Sequence, residues 1–383
     1  MDFTRSEEHE MLRELSQKFA REQLAPRAEE VDKTGKIDRE VLNQAAEIGL
    51  LGLAFPEEWD GSGMGETGFC IAMEELARGC FSTAIVIGGH ESIGAMAIYL
   101  SGDDDQKERY LKPMARGELL GAFALTEPQA GSDASALRTM AEDKGDHYLL
   151  NGQKTFITNG GLADVYSVFA VTKPGTGVKG ISAFIVDADL AGVTAGKLEH
   201  KMGIHGAPTT DLFFENVKIP KENLLGKKEG GFGVAMRTLD VGRLSVSATC
   251  LGLAKEALDL SIKHANERVQ FGSPIGDKQA IKWMLAEMAS EIFSLESIVY
   301  RSAWLCDNGK KFSRESAICK LVGSETLGHV VDHAVQIHGG MGYMSDFPIE
   351  RFYRDARITR IFEGTNEIQK IVISSNLLRQ GSY

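Results

Sequence analysis

Tyr148-Leu149-Leu150-Asn151-Gly152-Gln153-Lys154-Thr155-Phe156-Ile157-Thr158 is the stretch on which the fold turns. Aromatic and β-branched residues lie on both sides of Asn151-Gly152, a strong two-residue turn signal, so the spacing predicts two strands joined as a hairpin. The same texture extends outward. Between about 121 and 220 the apolar runs are short and rich in valine, isoleucine and phenylalanine, at 165–171, 181–186 and 212–214. This segment is expected to be a β domain.

On either side the period changes. Before it, Phe3, Met11, Leu12, Leu15, Phe19 and Leu24 fall near a 3.6-residue period. Thr4 with Glu7 has the spacing of a capping box, and Pro26 is expected to end the run. Further helices are expected over 39–50 and 68–78, separated by turn-rich 56–63. After the β segment, from Gly231, long helical patterns are broken only at 271–274, 307–309 and 339–342, which predicts four antiparallel helices. The expected fold is therefore α+β and multidomain. An all-α domain over 1–120 precedes a middle β-barrel or sandwich over 121–228 and a C-terminal antiparallel four-helix bundle over 229–383. The lack of βαβ alternation argues against a doubly wound dinucleotide fold.

Composition narrows the function. The 383 residues suit two or three domains at roughly 150 residues each. A net charge of −12, with no Lys/Arg-rich block, argues against a nucleic-acid partner. No stretch of about 18 apolar residues is read as a membrane span, and the N-terminus has no basic stretch leading into an apolar one. A bacterial cytoplasmic protein is the expectation; a processed protein of the mitochondrial matrix would read the same way. Cys70, Cys80, Cys250, Cys306 and Cys319 are odd in number, scattered and free of CxxC pairs, so neither disulfides nor a metal site are expected.

Four segments carry residues that packing alone explains poorly. In Phe123-Ala124-Leu125-Thr126-Glu127-Pro128-Gln129-Ala130-Gly131-Ser132-Asp133 an apolar strand runs into a loop of hydroxyls and backbone donors. Such a loop suits a flat heterocycle or a pyrophosphate, and equally an ordinary strand exit. Phe156-Ile157-Thr158-Asn159 sets a ring and a hydroxyl at a strand end, or simply closes a strand. Arg268, ahead of Phe271-Gly272 and Gln279, either complements a helix dipole or pairs with a phosphate. Gln336-Ile337-His338-Gly339-Gly340 permits close backbone approach, or caps a helix. Glu363, in Phe362-Glu363-Gly364-Thr365, has by itself no more than the look of an acid in a turn.

In this order, with Lys201-Met202-Gly203-Ile204 between them, these segments resemble the acyl-CoA dehydrogenase family over nearly the whole chain, and its short-chain, butyryl-type members most. The resemblance implies FAD as cofactor. Phe123, Leu125, Thr126 and Ser132 would then line the flavin and its pyrophosphate, with Phe156, Ile157 and Thr158 against the isoalloxazine. Many relatives have Trp where Phe156 stands. Arg268, Phe271, Gln279, Gln336, Gly339 and Gly340 would serve the FAD of a neighbouring subunit in a homo-oligomer, a tetramer built as a dimer of dimers. Thr365, Asn366 and Glu367 would close over the adenine side. Ser132, Asp240 and Arg243 would touch the CoA portion, and Gly364 and Glu91 would complete the substrate set.

The implied reaction is α,β-dehydrogenation of an acyl-CoA to a 2-enoyl-CoA. Glu363 takes the α-proton, the β-hydride goes to flavin N5 and the electrons pass to an electron-transfer flavoprotein. Isovaleryl and long-chain members carry their base where this chain has Gly242, which leaves Glu363 without a competitor there. His90 and Glu91 lie where relatives line the far end of the acyl pocket. They stand either as a second acid/base pair, as a 1,4-dehydrogenation of an alicyclic acyl-CoA needs, or as a polar pocket floor. An acyl-CoA oxidase on the same scaffold is a further alternative, and a flavin-free relict of the fold another. Chain length and branching of the substrate depend on pocket depth.

Overall fold

The computed structural model describes residues 4–381, in which helices precede a sheet and helices follow it. Helix α1 (Glu7–Phe19) is capped by Ser6, whose extended backbone lets its hydroxyl accept the His9 N–H at 3.2 Å. The cap is therefore Ser6 and not Thr4, and Phe3 lies outside the described residues. Pro26 does not end the run. The chain passes through a π turn (Ala20–Leu24) and a 3-10 turn (Ala25–Arg27) into α2 (Ala28–Thr34). At the start of a new turn a missing N–H costs nothing; the stop comes at Gly35, with φ +67°.

Helices α3 (Arg39–Glu47) and α4 (Gly65–Gly79) follow. Next, α5 (Phe81–Gly88), a π turn (Gly89–Ala95) and α6 (Met96–Ser101) form one 21-residue run. This corrects the reading that no apolar stretch approaches membrane-span length, because the run's mean hydropathy of 1.3 is high enough. Of that window 78% is buried inside the protein, so its apolar residues are spent on the core. Two short turns, α7 (Asp104–Gln106) and α8 (Lys112–Ala115), lead into the sheet.

The strands are β1 (Gly121–Ala124), β2 (Met140–Asp143), β3 (His147–Thr158), β4 (Val165–Val171), β5 (Ile181–Asp187), β6 (Val193–Ala195), β7 (Thr209–Pro220) and β8 (Leu224–Leu225). They form one sheet in the order β6-β7-β3-β2-β4-β5-β8, with β1 parallel to β4. The expected hairpin at Asn151-Gly152 is instead the middle of β3, a single 12-residue strand. Its antiparallel partner β7 carries an extra residue there, since Leu150 faces Val217 while Gly152 faces Phe214. Asn151 Oδ1 accepts the Asn216 N–H at 2.8 Å, a donor that the bulge takes out of the ladder. A Cβ at Gly152 would lie 2.6 Å from Thr139 Oγ1. Asn-Gly here marks a bulge and a close approach rather than a turn.

Three long helices, α9 (Gly231–Glu267), α10 (Gln279–Asp307) and α11 (Ser313–His338), pack on one another, and α4 packs on α9, so the two helical parts share one core. The break near Phe271 is a small hairpin of β9 (Val269–Gln270) and β10 (Ser273–Pro274). The fourth helix of the expected bundle is divided. α12 (Pro348–Ala356) and a 3-10 turn (Arg357–Arg360) are separated from α13 (Asn366–Gln380) by residues 361–365. That interruption contains Glu363.

Candidate active site

Glu363 stands in the left-handed region at φ +52°, followed by Gly364 at φ +91°. For a glutamate this backbone is strained and persists only where its surroundings hold it. The holding groups come from three helices. Gln369 Nε2 of α13 donates to the carbonyls of Glu363 (3.3 Å) and Gly364 (2.8 Å). Arg243 Nε of α9 lies 3.5 Å from the Glu363 carbonyl. From α11, Lys320 Nζ and Ser324 Oγ both donate to Asn366 Oδ1 at 3.0 Å, and Asn366 Nδ2 donates to Glu325 Oε1 at 2.7 Å.

The Glu363 residue as a whole is half-buried, but its Oε2 is buried without a hydrogen-bond partner among the described residues. That oxygen lies against Gly242, where a Cβ would come within 2.4 Å of Oε2 and 2.7 Å of Ile93 Cγ2. Burial pushes the carboxyl from 4.5 up to about 7, while Arg243 and Lys320 pull it down. The result is a group that exchanges a proton near neutrality. Arg243, 4% exposed, is itself paired with Asp240 at 2.8 Å.

The 81–101 run ties this acid to the strand ends. Ile93 faces the Glu363 side, while Gly94 packs under the Gly121 and Ala122 backbone and Gly89 packs against Thr158 and Asn159. Phe123 is half-buried and Leu125 is buried. The Thr126 carbonyl accepts the Thr155 N–H at 2.9 Å. Ser132 is exposed on the following loop. A second register shift between Lys154 and Ile157 leaves Phe156 at φ +55° and 66% exposed, with Thr158 half-buried beyond it. Ile157, between them, is 2% exposed and part of the sheet core, so its side chain does not join the other two. Beneath the loop, buried Lys154 donates to Glu127 (2.7 Å) and to the Leu125 carbonyl (3.0 Å).

The remaining expected residues lie elsewhere. Arg268, Gly339 and Gly340 line a cleft with His264, Gln270 and His338. Gln336, Gln279 and Phe271 are exposed nearby in the chain. Arg268 is 26 residues beyond Gly242 along α9, about 39 Å at the helical rise. Glu367 is exposed, Thr365 caps α13, and Asn366 is 3% exposed and engaged by α11, so it offers nothing outward.

His90 and Glu91 are fully buried; His90 and one Glu91 oxygen are committed to backbone, while Glu91 Oε2 has no hydrogen-bond partner among the described residues. His90 Nδ1 accepts the Gly121 N–H (2.9 Å), so Nε2 donates to Leu51 O (3.2 Å). Glu91 Oε1 accepts the Ala54 N–H (2.7 Å). Two residues apart on a helix, Glu91 and Ile93 point different ways, and Ile93 is the one facing Glu363. Burial pushes Glu91 up to about 8 and His90 down to about 4, so both are mostly neutral at pH 7.

Sequence reasoning missed Lys320, Gln369 and Ile93. Lys320 did carry a signal, as the one lysine on the stripe Ala317, Lys320, Ser324, Leu327 and Val331, all of it buried.

Three family models cover the chain in order: "Acyl-CoA dehydrogenase, N-terminal domain" over 6–118, "middle domain" over 122–217 and "C-terminal domain" over 229–378. The chain is 45% identical over 376 residues to a subunit of the caffeyl-CoA reductase-Etf complex of Acetobacterium woodii, covering 98% of this chain and 99% of that one. Butyryl-CoA dehydrogenase from Megasphaera elsdenii superposes with a TM-score of 0.97 at 43% identity, over 99% of this chain and 100% of that one. An acyl-CoA dehydrogenase complexed with FAD from Bacillus anthracis gives a TM-score of 0.93 at 39% identity, over 98% and 68%. With three domain models matched in order and relatives of this identity aligned end to end, the chain belongs to the acyl-CoA dehydrogenase family.

Proposed function

We propose that this protein catalyses FAD-dependent α,β-dehydrogenation of an acyl-CoA thioester, with Glu363 removing the α-proton. The observation that carries this reading is the Glu363 carboxyl. It is strained into place, has one buried oxygen free of partners, and is held near neutrality beside a glycine that leaves it room. The groups at the strand ends fit a flavin, because Phe156 presents an exposed apolar ring, Thr158 lies two residues beyond it on the same strand, and Thr126 and Ser132 add hydroxyls from the loop after β1. The Lys154–Glu127 pair ties the loop that carries Thr126 and Ser132 to β3, which carries Phe156 and Thr158. FAD, when bound, accepts the hydride lost from Cβ. Glu363 takes the proton from Cα, and its backbone N–H, which donates no hydrogen bond among the described residues, would stabilise the developing charge on the thioester oxygen. Asp240, Arg243, Ser132 and Gly364 are assigned to the CoA side. Arg268 stands about 39 Å along α9 from Gly242 and shares a cleft with Gly339 and Gly340, so these residues, with Phe271, Gln279 and Gln336, are assigned to the FAD of a second copy in a homo-oligomer.

An electron-transfer flavoprotein is the proposed partner, supported by the family resemblance and by the Etf-complex subunit that this chain resembles. That relative is named as a reductase, which favours a second reading in which the reaction runs toward the saturated thioester. Glu363 then delivers the proton to Cα, and a carboxyl near 7 serves in either direction. The 1,4-dehydrogenation has less support, since Glu91 is committed to the Ala54 N–H.

The test is anaerobic bleaching of the bound flavin by straight, branched and alicyclic acyl-CoAs, with 2-enoyl-CoAs offered to the reduced enzyme. Glu363→Gln is expected to slow bleaching by about 10²- to 10⁴-fold with the flavin still bound. Bleaching at the wild-type rate in that variant would refute the role of Glu363. Hydrogen peroxide formed in air without another acceptor would identify an oxidase.

A further inference from the structure

Lys320 is 0% exposed, and its only hydrogen bond among the described residues is to a neutral amide, Asn366 Oδ1. A buried ammonium normally lies against a carboxylate, yet among the described residues Lys320 forms no ion pair, and burial lowers it from 10.5 to about 8, which leaves it charged across the acid limb. Arg243, the other cation near Glu363, has its charge answered by Asp240 at 2.8 Å. The charged and titratable groups around the Glu363 carboxyl are thus Arg243 with Asp240 on α9 and Lys320 on α11, with Glu367 on α13 acting on Lys320 from the solvent edge. Cys250 on α9 lies close to Lys320 as a thiol whose own ionisation burial suppresses. Glu325 is turned to Arg360 at 2.9 Å and to Asn366.

We propose that Lys320 is a positioning residue for the base: through Asn366 its ammonium fixes the 363–366 turn, and its unanswered positive charge favours the ionised form of Glu363. The geometry assigns both tasks to one atom. Lys320 Nζ grips the first residue of α13, three positions past the glutamate, and its charge acts on the Glu363 carboxyl. This rests on Glu363 being the base.

The experiment uses the FAD-loaded enzyme and whichever acyl-CoA bleaches it fastest. The pH profile of kcat/KM is measured for the wild type, Lys320→Met, Lys320→Gln and Ser324→Ala. The Glu363 carboxyl band is titrated in parallel by infrared difference against Glu363→Gln. Removing the charge should move the acid limb and the infrared midpoint up together by about one unit, a loss of about tenfold in kcat/KM at pH 6. Ser324→Ala removes a hydrogen bond to the same Asn366 oxygen and no charge, so its limb should stay at the wild-type position. An unmoved limb and infrared midpoint in either folded Lys320 variant would overturn the proposal, as would an equal shift in Ser324→Ala. Asn366→Asp sets a carboxylate against Lys320 without removing it; it should raise the limb as well, and keeps the test open if both Lys320 variants fail to fold. If Glu363→Gln retains turnover, the base assignment falls instead, while the infrared midpoint still reports on Lys320.

Discussion

At the scale of single residues, the proposed chemistry depends on a glycine making room for an acid. Gly242→Ala would place a methyl 2.4 Å from Glu363 Oε2. The nearest atom is the tip of a flexible side chain and the next, Ile93 Cγ2 at 2.7 Å, is a side-chain methyl, so the carboxylate and Ile93 both shift. Activity should fall by roughly 10²-fold, as expected for a displacement of about 1 Å at a reacting group, with flavin content and melting temperature close to wild type. A full-rate Gly242→Ala enzyme would show that the carboxylate does not work from this position. The pH dependence follows from the raised carboxyl. Only the ionised form accepts a proton, so dehydrogenation should rise with pH through about 7. Reduction of an enoyl thioester needs the protonated form and should fall through the same value. Initial rates in both directions between pH 5.5 and 8.5, on the order of a unit and a half either side of that midpoint, check the sign.

At the scale of elements, two buried acids show how the site is framed. Glu91 fastens the 81–101 run to the Ala54 backbone, and burial raises its carboxyl from 4.5 to about 8. A carboxyl raised by folding contributes stability below its unfolded value and loses it as pH climbs toward the folded one. Glu91→Gln keeps the acceptor without the charge. Its melting temperature should therefore match the wild type below about pH 4.5 and exceed it by several degrees near pH 8, with turnover retained. Lost turnover on every substrate would restore Glu91 to the chemistry. Glu127 behaves oppositely. Burial works against its charge, but Lys154 and the N–H groups of Arg138 and Thr139 outweigh it and hold the carboxyl below its usual range. With both partners almost fully buried, Lys154→Met strands the carboxylate and should cost about 3–5 kcal/mol in denaturant unfolding. Neither role was legible beforehand, because burial depends on which elements meet.

At the scale of the whole molecule, the 39 Å between Gly242 and Arg268 separates two groups of residues that one sequence motif set had joined. Light scattering should give a mass that is a multiple of 41.7 kDa. Arg268→Ala should weaken FAD retention by about tenfold or more while leaving Glu363 and the helical content intact; a monomer that holds FAD normally would contradict the second-copy assignment. The order of helices, sheet and helices was readable from hydrophobic period alone, since a change from 3.6 to 2 is a local property of the chain. The resemblance picked out Glu363, Arg268 and the strand-end segments because their residue types and order are local too. Local signals misread Asn151-Gly152, which is a bulge in one strand, and Pro26, which lies within a continuing helical run, because a partner strand or a new helical turn supplies what the dipeptide or the ring lacks. By itself, the sequence determined the family and the order of the domains, and through the family resemblance it named the acid proposed as the base. Only the tertiary structure decided that Glu363 is desolvated and strained, that Ile157 turns inward, that Glu91 serves backbone, and that Lys320 of α11 holds Asn366 beside the acid, because desolvation and charge proximity arise between residues far apart in the chain.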